Sequence, residues 1–116
     1  MKSNQREIKF RYFGNKTLFG EEREFRYFTL GSIFGRDCPD LDIDKIQQFT
    51  GLKDKNSKDI YEGDIINCDI PFNILEKQLV TFNKAAFVLK QYGTLLNDVR
   101  NIKIIGNIFE NPELLK

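Results

Sequence analysis

Glu7-Ile8-Lys9-Phe10-Arg11-Tyr12-Phe13 is the stretch that decides the fold class. Ile8, Phe10 and Tyr12 share one face of an extended chain, and Lys9 and Arg11 share the other. A period of two belongs to a half-buried strand, not to a helix. The tetrapeptide Phe10-Arg11-Tyr12-Phe13 returns as Phe25-Arg26-Tyr27-Phe28, inside the aromatic run Glu24 to Leu30. Gly14-Asn15-Lys16 ends the first run and Gly20 precedes the second, so two strands of like amphipathicity, paired as a hairpin, are expected. In that arrangement Phe10 and Tyr12, and Phe25 and Tyr27, turn inward, while Lys and Arg stay on the wet face.

The rest of the chain extends the pattern. Gly31 to Asp44 reads as a loop or short helical turn, and Ile46 to Phe49 as a short strand closed by a turn at Thr50-Gly51. Lys53 to Asp59 is a polar loop whose Asp and Asn side chains can bond their own backbone. Gly63-Asp64 is a turn that launches a strand over Ile65 to Ile70, which Pro71 ends. One helical turn fits between Pro71 and Lys77. Gln78 to Phe82 and Ala85 to Lys90 flank Asn83-Lys84 as a hairpin. Thr94 to Asn101 is ambiguous, because Leu95, Leu96 and Val99 would share a helical face. Ile102 to Phe109 is the strongest strand, with Ile102, Ile104 and Ile108 on one face and Ile105 and Phe109 on the other, which predicts a central position. Asn111-Pro112-Glu113 carries helix-start chemistry. About seven short strands and no long helix predict a mainly β domain, a small barrel or a sandwich.

Composition narrows the function by exclusion. The 116 residues predict one domain over 1–116, with no linker to divide it. Lys plus Arg is 18 and Asp plus Glu is 17, for a net charge of +1, too little to coat duplex DNA by charge alone. The charge is uneven: residues 1–36 hold eight basic against four acidic side chains, and residues 37–64 hold four against eight. Such asymmetry favours self-association. Histidine is absent, which removes the commonest general base and metal ligand together. Cys38 and Cys68 are distant and form no C-x-x-C pair, so two reduced, partly buried thiols are expected rather than a zinc site. Charged Arg6, Glu7, Lys9 and Arg11 interrupt the opening, so no secretory signal is expected. No run approaches the ~20 apolar residues of a membrane helix, and the cytoplasm is the expected compartment.

Three constellations carry candidate chemistry. Asp40-Leu41-Asp42-Ile43-Asp44 suggests a calcium loop, but that template needs Gly at its sixth place and Glu at its twelfth, where this chain has Lys45 and Gly51. A start at Asp54 fails likewise, with Asp59 and Ile65 in those places. Glu62 and Asp64 are adjacent acids near a turn, which are ordinarily just polar. Arg11, Tyr12, Phe13, Arg26, Tyr27 and Phe28 are the right types for single-stranded nucleic acid, with Arg11 and Arg26 the candidates for phosphate and Phe13 and Phe28 those for stacking on bases. Against that stands the plainer reading of two amphipathic core strands.

Three blocks also carry a family resemblance. Arg6-Glu7-Ile8-Lys9-Phe10-Arg11 opens the chain. Gln48-Phe49-Thr50-Gly51-Leu52-Lys53-Asp54-Lys55-Asn56 runs into Asp59-Ile60-Tyr61-Glu62-Gly63-Asp64-Ile65. The third block is Ile105-Gly106-Asn107-Ile108-Phe109-Glu110-Asn111-Pro112-Glu113-Leu114. In this order they resemble the YopX family of bacteriophage and prophage proteins, over nearly the whole chain. Aromatic Tyr12-Phe13, Ser57 and Phe109 stand where the family often has Trp, Gly and Tyr. The resemblance implies an all-β, pseudobarrel-like domain of phage or prophage origin, and it supplies no catalytic residue. Gly51, Gly63 and Gly106 are expected where backbones turn or approach closely, and Tyr61, Ile65 and Ile105 in the core. The Tyr61–Asp64 turn and the tail can also meet as a recognition surface.

The expectation is therefore a non-enzymatic binding protein of the bacterial cytoplasm, with a host-directed accessory role. It needs no cofactor, metal or small-molecule substrate. Its expected partner is a second copy of itself or a host protein. The alternative is a β-barrel that binds single-stranded nucleic acid.

Overall fold

The computed structural model describes residues 8–15, 22–29, 45–69, 77–90 and 93–115. The expected loop over Gly31 to Asp44, with Cys38 and the acidic run at 40–44, lies outside the described residues, as does most of the expected helical turn after Pro71.

Among the described residues eight strands form two antiparallel four-stranded sheets. In chain order they are β1 (Lys9–Asn15), β2 (Arg23–Thr29), β3 (Ile46–Lys53), β4 (Asp59–Tyr61), β5 (Asp64–Asp69), β6 (Gln78–Asn83), β7 (Ala86–Leu89) and β8 (Arg100–Asn107). The first sheet runs β2-β1-β3-β4 and the second β7-β6-β5-β8. The mainly β class is as expected; the strand missing from the sequence reading is β4, whose three residues are too few to show a period.

The repeated tetrapeptide pairs with itself. Phe10 lies opposite Phe28, Arg11 opposite Tyr27, Tyr12 opposite Arg26 and Phe13 opposite Phe25. Cross-strand aromatic pairs are a main stabiliser of such ribbons, and the Phe10 and Phe28 rings stack with centroids 5.7 Å apart. The assignment of faces is the chief correction. Arg11, expected in water, is 5% exposed, while Tyr27, expected inside, is 61% exposed. Lys9, Arg11 and Phe13 line the face that meets Asp59, Asp64, Tyr61 and Phe109. Alternation assigns charge to water by default; here a buried carboxylate and two rings receive the guanidinium instead.

The second sheet carries an aliphatic core. Ile60, Ile66, Cys68, Val80, Leu89, Leu96, Val99 and Ile102 form one buried cluster, with Leu52, Phe87 and Ile104 packed against it. Burial of each such isoleucine or leucine is worth about 1.5–3 kcal/mol. Ile60 of β4 belongs to this cluster while its neighbour Tyr61 faces Arg11, so β4 serves both sides.

Several local expectations shift. Thr50-Gly51 is no turn: β3 continues through it with a register irregularity between Phe49 and Lys53, and Gly51 has φ +88°. Glycine in that conformation kinks a strand and lets it run on. The second hairpin turns at Lys84 and Ala85, one residue later than expected, both with positive φ. Thr94 to Val99 resolves into a bridge at Leu95 and a 3-10 turn over Leu96–Asp98. Strand β8 lies at a sheet edge rather than the centre, and Ile108 falls in the turn beyond it. The strand covered on both faces is β5, where Ile65 and Ile66 are both fully buried. The outer edge of β8 is nevertheless covered: Lys55 N–H donates to the Ile102 carbonyl at 2.8 Å, and Ile104 N–H donates to the Asp54 carboxylate at 3.2 Å. Asn111 precedes a 3-10 turn over Pro112–Leu115, but its side chain points back and accepts from Asn107 N–H.

Candidate functional site: a charge-balanced cleft between the two sheets

The two later sequence blocks meet, and they meet at a cleft. Asp64 pairs with Asn107 and Ile65 with Gly106 across β5 and β8, and Ile108 N–H donates to the Gly63 carbonyl at 2.8 Å. Two glycines make the approach. At Gly63, φ is +86° and a Cβ would fall 1.8 Å from the Gln47 amide nitrogen. At Gly106 a Cβ would fall 2.7 Å from Asn111 Oδ1 and 2.9 Å from Leu114 Cδ1. Asn107 then ties the tail: its Oδ1 accepts from Phe109 and Glu110 N–H, and its Nδ2 donates to Glu110 Oε1 at 2.7 Å.

The resulting cleft holds about 600 Å³. Lys9, Arg11 and Tyr27 of the first sheet, Lys58, Asp59 and Tyr61 around β4, Asp64 of β5, Ile104 to Asn107, and Glu110 with Asn111 line it. At its base Arg11 donates from Nη2 to Asp64 Oδ1 and from Nε to Gln47 Oε1, both at 2.7 Å. Its guanidinium also rests on the Phe25 and Tyr61 rings, 4.2 and 4.7 Å from their centroids. Asp64 Oδ2 accepts from Tyr61 N–H at 2.8 Å, so both carboxylate oxygens are committed. Nearer the mouth Lys9 pairs with Asp59 at 2.6 Å and lies 4.6 Å from the Phe49 ring centroid. Lys53 takes the other Asp59 oxygen at 2.8 Å.

These surroundings shift the ionisation of the groups they enclose. Burial pushes the Asp64 carboxyl up, against the pull of Arg11. Burial also raises Asp59, but hydrogen bonds from Lys53 and Lys9 outweigh it and hold that group below its ordinary value. Burial raises the Tyr61 phenol to about 12, so it stays a protonated donor at neutral pH. Cys68 lies in the aliphatic core, where burial and the nearby Asp69 charge keep it a thiol. The suggested acid pair is not a pair, since Glu62 Oε1 accepts from Gln48 N–H while Asp64 faces Arg11.

The candidate nucleic-acid residues are dispersed. Arg11 is buried in its ion pair with Asp64. Phe13 stacks on Phe109, with ring centroids 5.4 Å apart and planes 4° from parallel. Phe28 stacks on Phe10. Arg26 is exposed on β2. The sequence reading missed Tyr27 as a presented ring, Asp59 and Glu110 as cleft residues, and Gln47 as the buried partner of Arg11. Only the meeting of the glycine-marked blocks was legible for them.

An all-β domain of two antiparallel sheets, with a polar cleft where they adjoin, is the class this geometry defines. Residues 3–116 match the family described as YopX protein, and the chain belongs to that family. It is also similar to protein EF1440 from Enterococcus faecalis, known from a crystal structure: 27% identical, TM-score 0.52, covering 91% of this chain and 75% of that one. Curated proteins gave no match.

Proposed function

We propose that the protein is a phage- or prophage-encoded, non-enzymatic binding protein of the bacterial cytoplasm, and that the cleft receives a segment of a host protein. The observation that supports this is the balance of charge in the cleft. Lys9, Arg11 and Lys58 face Asp59, Asp64 and Glu110, and Lys9 and Arg11 are each bonded to one of those carboxylates. A nucleic-acid groove needs cations in excess, because phosphate neutralisation supplies most of its affinity. A cleft of alternating sign beside an exposed tyrosine instead suits a polypeptide, whose side chains carry both signs. Arg11 and the Tyr61 N–H occupy the two Asp64 oxygens, and Lys9 and Lys53 occupy those of Asp59, which supports a binding role over a catalytic one.

The test is affinity capture from the bacterial host with wild-type protein and with Tyr27→Ala and Lys58→Glu variants. A host protein retained by wild type and lost from both folded variants is the expected result. Co-purifying nucleic acid, with submicromolar salt-sensitive binding of labelled single strands, would overturn this reading in favour of a nucleic-acid binder.

A further inference from the structure

We propose that two copies of this chain join edge to edge through β2, antiparallel, about a two-fold axis at Phe25. Each sheet has two edges, so there are four: β2 and β4 in the first sheet, β7 and β8 in the second. An open edge invites another strand unless it is short, covered or charged. Three of the four are short or covered. Strand β4 has three residues, and its Tyr61 N–H is held by Asp64. Strand β7 has four, with Val88 bridged to Leu95. The backbone of β8 is bonded by Lys55 and Asp54. Strand β2 has seven residues, and no described strand lies beyond it.

Its side chains are charged, which ordinarily protects an edge, but their order is self-complementary. A two-fold axis normal to the sheet keeps each face on its own side, so the residue at the axis lies opposite itself. With Arg26 at the axis, two guanidinium groups face each other. With Tyr27 at the axis, Arg26 meets Phe28 and no ion pair forms. With Phe25 at the axis, Arg23-Glu24-Phe25-Arg26-Tyr27 reads as its own complement. Glu24 then lies opposite Arg26 of the second copy, twice. Arg23 lies opposite Tyr27 of the second copy, also twice, and the two Phe25 rings adjoin. Opposite charges, cation–ring and aromatic pairs are the favourable cross-strand combinations. Arg23, Glu24, Arg26 and Tyr27 are all exposed. Arg26 carries five N–H donors, enough to take a carboxylate of the second copy in addition to its contacts within the chain.

Charge exchange tests the register. Sedimentation of the full chain over a hundredfold concentration range should show wild type passing from monomer to dimer. Glu24→Arg and Arg26→Glu each set like charges opposite each other twice, and each should raise the dimer dissociation constant at least tenfold. The double exchange, Glu24→Arg with Arg26→Glu, restores opposite charges and should recover the dimer. Hydrogen exchange on wild type needs no substitution: amides of 23–27 should gain protection as concentration rises. A wild-type chain that stays monomeric throughout, a double exchange that behaves like either single one, or association without new protection in β2 would each overturn the proposal.

Discussion

The two sheets reach stability by different chemistry. In the second, Ile66, Val80 and Leu89 are fully buried, and its interior is an aliphatic cluster with one thiol. In the first, the rings of Phe10, Tyr12, Phe13, Phe25 and Phe28 are only half-buried. The most deeply placed β1 side chain is an arginine bonded to Gln47 and Asp64. An aliphatic core tolerates small losses in proportion to area. A buried ion pair responds all at once, because removal of one member strands the other charge. The glycine turn at Gly63 joins the two regimes, with Tyr61 and Asp64 on one side and Ile65 and Ile66 on the other.

That contrast can be broken most sharply at Asp64. Asp64→Ala should cost about 3–5 kcal/mol, since it leaves the Arg11 charge buried without its partner. The paired replacement Arg11→Met with Asp64→Leu should cost far less, because no charge remains to solvate. Denaturant unfolding of the three proteins checks this. A double variant as unstable as the single one would show that packing, not charge, governs this site.

Asp54 comes next, and pH exposes it. Burial raises its carboxyl, but backbone N–H groups of Lys58, Ile104 and Asn56 more than compensate, holding it below its ordinary value. Its contribution is therefore full above about pH 4 and drains away as acid protonates the folded form. Asp64 has the opposite sign: raised by burial, it takes up its proton in the folded state first, so its charged form is the costlier one at neutral pH. Asp54→Asn should lose about 1–3 kcal/mol at pH 7, having surrendered one acceptor. The gap between it and wild type should close below pH 4 in urea titrations. A gap that is the same at pH 3 and pH 7 would remove the charge from the explanation.

Within the aliphatic cluster Ile66→Val should cost about 0.5–1.5 kcal/mol, visible as a shifted denaturation midpoint with an unchanged slope. The smallest effect belongs to Lys53→Ala. Lys53 is 60% exposed and shares Asp59 with Lys9, so its loss should cost less than about 1 kcal/mol and vanish in high salt.

The same contrast explains what could be read in advance. Strands β1, β2 and β8 announced themselves because their side chains alternate in type. Gly63 and Gly106 marked a close approach, and the cleft lies there. The inward face of β1 was illegible because alternation sends Arg11 to water, and the partners that reverse that, Gln47, Tyr61 and Asp64, lie far along the chain. At Gly51 a glycine that signals a turn equally serves a bulge, and no local feature separates them. Asp59 looked like a loop residue; its place between two lysines depends on a partner from β1.

Asp54 also has a bearing on the order in which the chain assembles. Its Oδ1 takes N–H groups two and four residues ahead, while Oδ2 takes one from fifty residues ahead. The near bonds close on the timescale of a short loop, about 10–100 ns. The far bond must await a long-range encounter. The acceptor for β8 is thus oriented before the strand arrives, so a late and improbable collision lands on a waiting receptor.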